Sequence, residues 1–451
     1  MLKIVIVGNG PLPDEKSKSR PAAGLRTYQF LTAIRESGLA FNLSLIKIAM
    51  PECYDEVPIY SQAGGKNGCK EFTISKNDSS LTAKLQKIID EISPDVLISV
   101  NTYPSYLASK LKFHAAFWVD LNGWIMAEGA IQASVSGTNA YLPHYYRMEK
   151  SILKKADKIS TVSASQRGAV LGELAFLGRI NKDTATYNFI EYIPNAAFAE
   201  YEEAIESEEI RKKMPKEAFA ESSFICLWGG GYNTWADEET LFKGLEIAMR
   251  EDENVYFVST GGEISGLENR NFENFKKMID GSKFKERFVF LGWIDTKYMP
   301  YVYQLSDIGL NVDLNCVETY TGARNRINEM MKYGLPVLTT FGSEIASEVE
   351  KSGAGVGVFS GDFEALGTAI LKFAKMGNDE RAKFGEAGRR YTKENNYEKV
   401  MEPLMKWLRE PGHAPDNGKV FKLDGFFSRL ASGLRYLREK GLKKFLQRLF
   451  R

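Results

Sequence analysis

Histidine and cysteine are scarce in this chain. Three histidines, His114, His144 and His413, stand among 451 residues, too few and too scattered for a histidine-rich metal site. The four cysteines, Cys53, Cys69, Cys226 and Cys316, form no CxxC pair. Neither a disulfide framework nor a zinc site is expected from them, and a reducing compartment is the simpler reading. A formal net charge of only +1 argues against a chain built as a whole to grip a polyanion, so no nucleic-acid partner is expected. There is no run of about eighteen uncharged apolar residues, hence no expected membrane-spanning helix. The first residues, Met1-Leu-Lys-Ile-Val-Ile-Val-Gly8, enter a strand pattern at once and carry no secretory signal. The expected location is the cytoplasm.

What is present is an ordinary globular composition, 44% hydrophobic and 26% charged, in a chain long enough for two domains. Apolar runs alternate with helix-spaced stretches. Ile4–Val7 reads as a buried strand, Gly24–Arg35 as a helix, Phe41–Ile48 as a strand, Leu81–Ile92 as a helix and Asp95–Val100 as a strand. Ala115–Val119, running into Asp120, and Lys158–Val162 read as further strands, with a helical stretch around Met148–Ala156 between them. Pro194-Asn195 marks a domain edge, and the Glu-, Lys- and Ala-rich residues 200–222 read as a helical linker. The alternation then restarts, with strands at Phe224–Trp228, Val255–Ser259, Phe288–Leu291, Ile308–Val312 and Pro336–Thr340. Helices are expected at Leu241–Met249, Arg326–Tyr333 and Phe363–Met376. Strand–helix alternation of this kind means parallel sheets covered by helices. The expected architecture is α/β: two Rossmann-like doubly wound domains, 1–198 and 199–390, facing across a cleft. A helix over 391–412 is expected to cross back to the first domain.

The tail, 419–451, differs. It holds ten basic residues against two acidic ones, a net +8, which leaves −7 on the rest of a chain that totals +1. Phe427, Leu430, Leu434, Leu437, Leu442, Phe445, Leu446 and Leu449 fall near one helical face. A central Arg or Lys costs about 2.5–3.5 kcal/mol to insert into a bilayer, so spanning loses. An anionic membrane surface is the expected partner of this segment, which would make the protein peripheral on the inner face of the membrane. The bland alternative is a helix docked on a partner or on the N-terminal domain.

The constellation richest in chemistry is Glu318-Thr-Tyr-Thr-Gly-Ala-Arg-Asn-Arg-Ile-Asn-Glu329, followed by Met-Met-Lys-Tyr-Gly-Leu-Pro336. A loop containing Thr321 and Gly322 opens a helix at Asn325. Free N–H groups at a helix start favour phosphate, Arg324 and Arg326 add guanidinium charge, and Glu329, one turn along, suits ribose hydroxyls.

The segment Glu329-Met-Met-Lys-Tyr-Gly-Leu-Pro-Val resembles the Glu-Ala-Met-Ala-x-Gly-x-Pro-Val stretch of retaining GT-B glycosyltransferases of the "glycosyl transferases group 1" type. The resemblance extends over most of the chain. Leu227-Trp-Gly-Gly-Gly231 and Phe257-Val-Ser-Thr-Gly-Gly262 look like the first two strands and glycine turns of that family's donor domain. Phe288–Trp293 looks like the strand before its nucleobase loop, Leu305–Leu310 like its "ADI" strand, and Ala23-Gly-Leu-Arg-Thr27 like its N-terminal glycine loop.

The resemblance implies a metal-free, cofactor-free transfer of a sugar from a nucleotide-diphosphate sugar to a glycan or lipid-linked acceptor. It implies a donor site formed from Gly24, Arg26, Gly230, Gly231, Asn233, Trp235, Gly261, Gly262, Glu263, Thr321, Gly322, Arg324, Asn325, Arg326 and Glu329, with Asp120 and Glu318 as catalytic candidates. Glu128, His114 and His144 are weaker sugar-binding candidates. The family places a glutamate where Thr321 stands, and the nearest substitute is Glu318. It often has Arg and Lys where Tyr232–Trp235 and Gly261–Glu263 stand, so Arg324 and Arg326 are expected to supply the missing charge.

Three other readings fit less well. A GT-B phosphorylase or epimerase keeps the fold and changes the reaction. A non-catalytic GT-B scaffold of a membrane glycan-assembly complex follows from the lost glutamate. A dinucleotide oxidoreductase is disfavoured because Gly8-Asn-Gly10-Pro-Leu-Pro lacks the third glycine of GxGxxG.

Overall fold

The computed structural model describes residues 1–15, 17, 22–54, 56, 60–64, 69–264, 269–416, 418, 419, 421, 437 and 438. Two sheets organise it. The N-terminal sheet runs β3-β4-β2-β1-β5-β6-β7-β8. Its strands are β1 Leu2–Gly10, β2 Phe41–Ala49, β3 Tyr60–Gly64, β4 Lys70–Ser75, β5 Val96–Val100, β6 Ala116–Leu121, β7 Lys158–Thr161 and β8 Ile190–Tyr192. All pair in parallel except β3, which lies antiparallel on the β4 edge. The second sheet runs β11-β10-β9-β12-β13-β14 and is parallel throughout. Its strands are β9 Phe224–Trp228, β10 Val255–Thr260, β11 Phe288–Gly292, β12 Ile308–Asn311, β13 Val337–Thr340 and β14 Gly355–Val358. Both are doubly wound sheets of α/β type, as expected.

The physical reason is visible in burial. β1 is Ile-Val-Ile-Val at its centre and β5 is Val-Leu-Ile-Ser-Val, and in both the side chains on each face are buried. Such strands need helices on both sides. Each sheet accordingly separates two apolar clusters. One face of the N-terminal sheet buries Val5, Val7, Leu97, Phe117 and Ile152; the other buries Ile4, Ile6, Phe30, Ile98 and Trp118. In the second sheet Phe257, Phe275 and Leu310 lie on one face, and Leu227, Ile327 and Met330 on the other.

Each sheet reverses strand order once, between β1 and β5 and between β9 and β12. At such a switch point the loops beyond the strands' carboxyl ends part, leaving a crevice for a ligand. The two sheets meet near these ends. Ser163 Oγ donates to Thr321 O (2.7 Å), Asn328 Nδ2 to Asn195 O (2.9 Å), and Glu344 accepts from Ala164 N (2.8 Å) and from Tyr192 Oη (3.1 Å).

Residues 200–222 are not one helix. The α-helix there is short, Glu208–Lys213, capped by Ser207; Pro215 follows directly after Met214, and a 3-10 turn spans Lys216–Phe219. Proline disfavours the helical conformation in the residue before it, so the favourable composition is cut short. The long helix Asn378–Glu394 belongs to the second half, and the chain then returns through two short helices, Tyr397–Val400 and Glu402–Arg409. Tyr397, Met401, Leu404 and Leu408 join the apolar cluster under the N-terminal sheet, and Trp407 packs on Trp118 at 5.3 Å. Beyond them Asp416 forms a buried bidentate pair with Arg179 (2.6 and 2.7 Å). Among the described residues no helix is long and apolar enough to cross a membrane. Nearly all of the basic amphipathic tail lies outside the described residues.

Candidate functional site

The second sheet builds the first half of the site from glycine. Trp228 ends β9 and leads into Gly229–Gly231; Thr260 ends β10 and leads into Gly261 and Gly262. Gly230 (φ +90°) and Gly261 (φ +84°) are in the left-handed region. A Cβ on Gly261 would stand 2.5 Å from the carbonyl carbon of Gly230, so the two turns touch backbone to backbone and only glycine permits it. Thr260 Oγ1 accepts from Gly230 N (3.1 Å), and Gly262 O from Tyr232 N (3.2 Å). The N–H groups of Gly231 and Gly262 find no acceptor among the described residues.

The helix Asn325–Lys332 begins beside these turns, and Arg324 at its N-cap supplies no side-chain cap. Arg326, in its first turn, donates from Nη2 to Gly231 O (2.8 Å) and lies 4.2 Å over the Trp228 ring. Its Nη1 is buried and has no hydrogen-bond partner among the described residues. Burial lowers the guanidinium's pKa, with Arg324 adding to the effect and Asp313 opposing it. A half-buried cation short of a counter-charge, next to free backbone N–H groups at a helix start, is an arrangement that an anionic oxygen completes. One turn on, Glu329 has a carboxyl with no hydrogen bond among the described residues. Burial raises its pKa, Lys332 opposing.

Arg324 is the opposite case. Its Nε donates to Asp313 Oδ2 (2.6 Å), and its Nη1 and Nη2 to Glu318 Oε1 and Oε2 (3.1 and 2.7 Å). Trp235 lies 5.2 Å from the guanidinium. The two carboxylates raise the arginine's pKa although burial works against them. Burial raises the Glu318 carboxyl, and Arg324 resists that rise. All three side chains are buried, so this arginine has no charge left for a ligand.

On the N-terminal side the expectation for Asp120 and Arg26 needs correction. Both are wholly buried. Asp120 Oδ1 accepts from Arg26 Nη2 (2.9 Å) and Ser160 Oγ (2.7 Å), and Oδ2 from Arg26 Nε (3.0 Å). Arg26 also donates to Ile193 O (2.8 Å) and Pro194 O (3.3 Å). The pair fastens the chain where it leaves the first domain, and solvent does not reach either side chain. Gly24 is buried in the helix Ala22–Glu36. Thr321, expected in the donor site, has its hydroxyl donating to Val317 O (2.9 Å) and its carbonyl accepting from Ser163.

Compared with solved structures, the chain is similar to a sucrose-phosphate synthase from Thermosynechococcus elongatus, with a TM-score of 0.66 and 15% identity over 91% of this chain and 99% of that one. It is similar to a trehalose-6-phosphate structure from E. coli bound with UDP-2-fluoro glucose, with a TM-score of 0.65 and 13% identity over 91% and 100%. A third is a UDP-forming α,α-trehalose-phosphate synthase from Burkholderia xenovorans in complex with glucose-6-phosphate, with a TM-score of 0.65 and 10% identity over 90% and 99%. No protein-family model and no curated protein matches the chain.

The fold is GT-B.

In this GT-B frame Gly230, Gly231, Gly261, Gly262, Asn325, Arg326 and Glu329 gather at the β9/β12 switch point. Glu263 is exposed, and its carbonyl accepts from Trp293 Nε1 (2.9 Å). Asn233 and Trp235 sit in the loop beyond Gly231, where their carbonyls brace Asn271 (3.4 Å) and Leu314 (2.8 Å). Gly322 supports the Glu318–Arg324 pair. His144 lies edge-on to Tyr106 (6.4 Å) and tilted against Tyr145 (5.9 Å). Sequence reasoning missed Asn101, which directly follows β5 with φ +72° and ψ 160°, a region nearly reserved for glycine. Its side chain ties Ala23 O (2.9 Å) to Asn122 (3.1 Å) across the N-terminal crevice. It also missed Glu344, which bridges the domains, and a cavity of about 290 Å³ on the hinge side, lined by Tyr192, Asn195, Asn328, Glu344, Tyr391 and Lys399 among others. Only the oddity of a non-glycine at the end of a central strand could have flagged Asn101.

Proposed function

We propose that this protein is a glycosyltransferase that binds a nucleotide-diphosphate sugar at the β9/β12 switch point and passes the sugar, with retention, to a hydroxyl of a glycan or lipid-linked acceptor held by the N-terminal domain. The observation that carries the reading is Arg326. Among the described residues its buried Nη1 has no partner, beside the Gly231 turn and an uncapped helix start. A diphosphate supplies the missing oxygens, and Glu329 takes ribose hydroxyls. As the sugar leaves, negative charge collects on the diphosphate. Fixed N–H groups and the guanidinium stabilise it there without reorganising. The similar structures support the same assignment, since one binds UDP-2-fluoro glucose and another glucose-6-phosphate. The basic tail brings the enzyme to an anionic membrane on the cytoplasmic side, where a lipid-linked acceptor would be met.

The test is a melting-temperature screen against UDP, GDP, ADP, CMP and dTDP, with NAD as control. A ligand of the native state raises the melting temperature, by about 2.7 kcal/mol of added stability at a hundredfold excess over Kd. A shift with one diphosphate and none with NAD supports the donor site. No shift with any of them in folded protein sinks it and favours the phosphorylase or scaffold reading, to which the absent glutamate at Thr321 already points.

A further inference from the structure

The helix Ala164–Phe176 lays Val170 and Leu174 into an apolar cluster of the N-terminal sheet. Its opposite side departs from what water favours. The solvent side of a helix is ordinarily polar and charged. Here the exposed positions from Ala164 to Phe176 carry one charge, Arg167; the others are Ala, Gly and Ser, with Leu171 and Phe176 as the large ones. Phe176 is 91% exposed. Past the helix Ile180 is exposed too, and the exposed Phe421 reaches the same end of the helix. Phe421 N donates to Gly178 O (3.3 Å), and a Cβ on Gly178 would stand 1.9 Å from Phe421 O, so the incoming backbone lies directly on this glycine.

Two features identify what this face meets. The first is where the basic tail starts. Asp416, in its buried pair with Arg179, and Phe421 on Gly178 fix the chain at the end of this helix, so residues 422–451 leave the body from this face. The second is charge. Between Ala164 and Thr186 the exposed basic residues are Arg167 and Lys182, and Lys419 is exposed at the start of the tail. Asp183, paired with Lys182 (2.7 Å), is the one exposed acid in that stretch; Glu173 is half-buried and accepts from Trp124 (3.1 Å). An apolar face with a positive rim suits an anionic bilayer. The rim and the tail, +8 over 419–451, carry charge of one sign, which works against the tail folding back over the face.

We infer that Leu171, Phe176, Ile180 and Phe421 form a bilayer-docking surface on the N-terminal domain, which seats these side chains among the headgroups of an anionic membrane while the tail binds alongside. This rests on the membrane role proposed above for the tail and is independent of the donor site. A tail alone tethers the enzyme at any angle; a second contact on the folded body sets its orientation. The helix that carries the face begins at the domain seam, where Ser163 Oγ donates to Thr321 O and Ala164 N to Glu344. Its 13 residues span about 20 Å. Docking therefore holds the seam within about 20 Å of the bilayer surface, and a lipid-linked acceptor is met without the enzyme leaving the membrane.

The experiment uses the full chain and vesicles of phosphatidylcholine with phosphatidylglycerol, brominated on their acyl chains. Phe176→Trp and, as a control in the second domain, Phe359→Trp (72% exposed) each add one indole, and the emission added over wild type is read. On bound vesicles the added emission of Phe176→Trp should be quenched by the bromines and that of Phe359→Trp should not. Leu171→Ser combined with Phe176→Ser should weaken vesicle binding about tenfold or more. Both side chains are exposed, so the melting shift with the nucleoside diphosphate should stay as in wild type; Phe359→Ser should change neither reading. Phe176→Trp emission that stays unquenched on bound vesicles overturns the inference, as does a double variant that binds within about twofold of wild type. Phe176→Trp emission that is blue-shifted without vesicles, and moves to the red when residues 422–451 are removed, shows the tail covering the face and overturns it too. A wild-type chain that does not sediment with these vesicles fails the tail's membrane role and the inference together, while the donor site stands or falls on its own melting screen.

Discussion

Arg324 and Arg326 stand two positions apart and do opposite things. Arg324 is held by Asp313 and Glu318; Arg326 keeps a buried Nη1 without a partner among the described residues. Replacing Arg324 with Ala leaves two buried carboxylates unpaired and should cost about 3–5 kcal/mol of stability, read by chemical denaturation. Replacing Arg326 with Ala removes a half-buried, under-compensated charge. The fold should keep its stability while nucleoside diphosphate affinity falls about 10- to 100-fold, read by titration calorimetry. The sequence placed both arginines at a helix start next to a glycine loop, and that much was legible. Which charge is already consumed was not, because Asp313 is brought close only by the strand–loop–helix path. Asp120 shows the same limit more sharply. Its partner Arg26 lies 94 residues away, and nothing local tells a strand-end aspartate that faces a cleft from one locked beneath it.

The core strands were readable element by element, because strands covered on both faces are written as unbroken apolar runs. β3, β4, β8, β14 and the linker were not. β3 is a short edge strand whose place depends on its partner, and residues 200–222 have helix-favouring composition but a proline that stops it. The helix Leu142–Lys155 carries a burial that its sequence did not announce. Glu149 is buried to within 2%. Burial raises its pKa well above the ordinary value, and Glu173 adds to the rise. Since the folded value exceeds the unfolded one, the stability linked to this proton is complete below about pH 4.5 and is lost as pH rises towards the raised value. Glu149→Gln, neutral at every pH, should therefore raise the melting temperature clearly at pH 8 and little or not at all at pH 4.5. An equal gain at both would show that Glu149 does not hold its proton.

For the whole molecule, strand–helix alternation was enough to read two doubly wound domains, and the similar solved structures carry the same fold. The seam between the domains was not readable: Ser163 with Thr321, and Glu344 with Ala164 and Tyr192, join residues far apart in sequence. The tail belongs to this scale too, since its +8 charge acts on location rather than on the site. Removing residues 422–451 should abolish sedimentation with vesicles containing anionic lipid while leaving the melting shift with nucleoside diphosphate unchanged; retained sedimentation would remove the tail from the proposal. The central claim remains the donor site at Arg326. Its most direct measurement is calorimetric titration of the wild-type chain and Arg326→Ala with the nucleoside diphosphate selected by the melting screen. The account predicts one site per chain and binding about 10- to 100-fold weaker in the variant. Equal affinity in the two proteins would place the diphosphate elsewhere and contradict it.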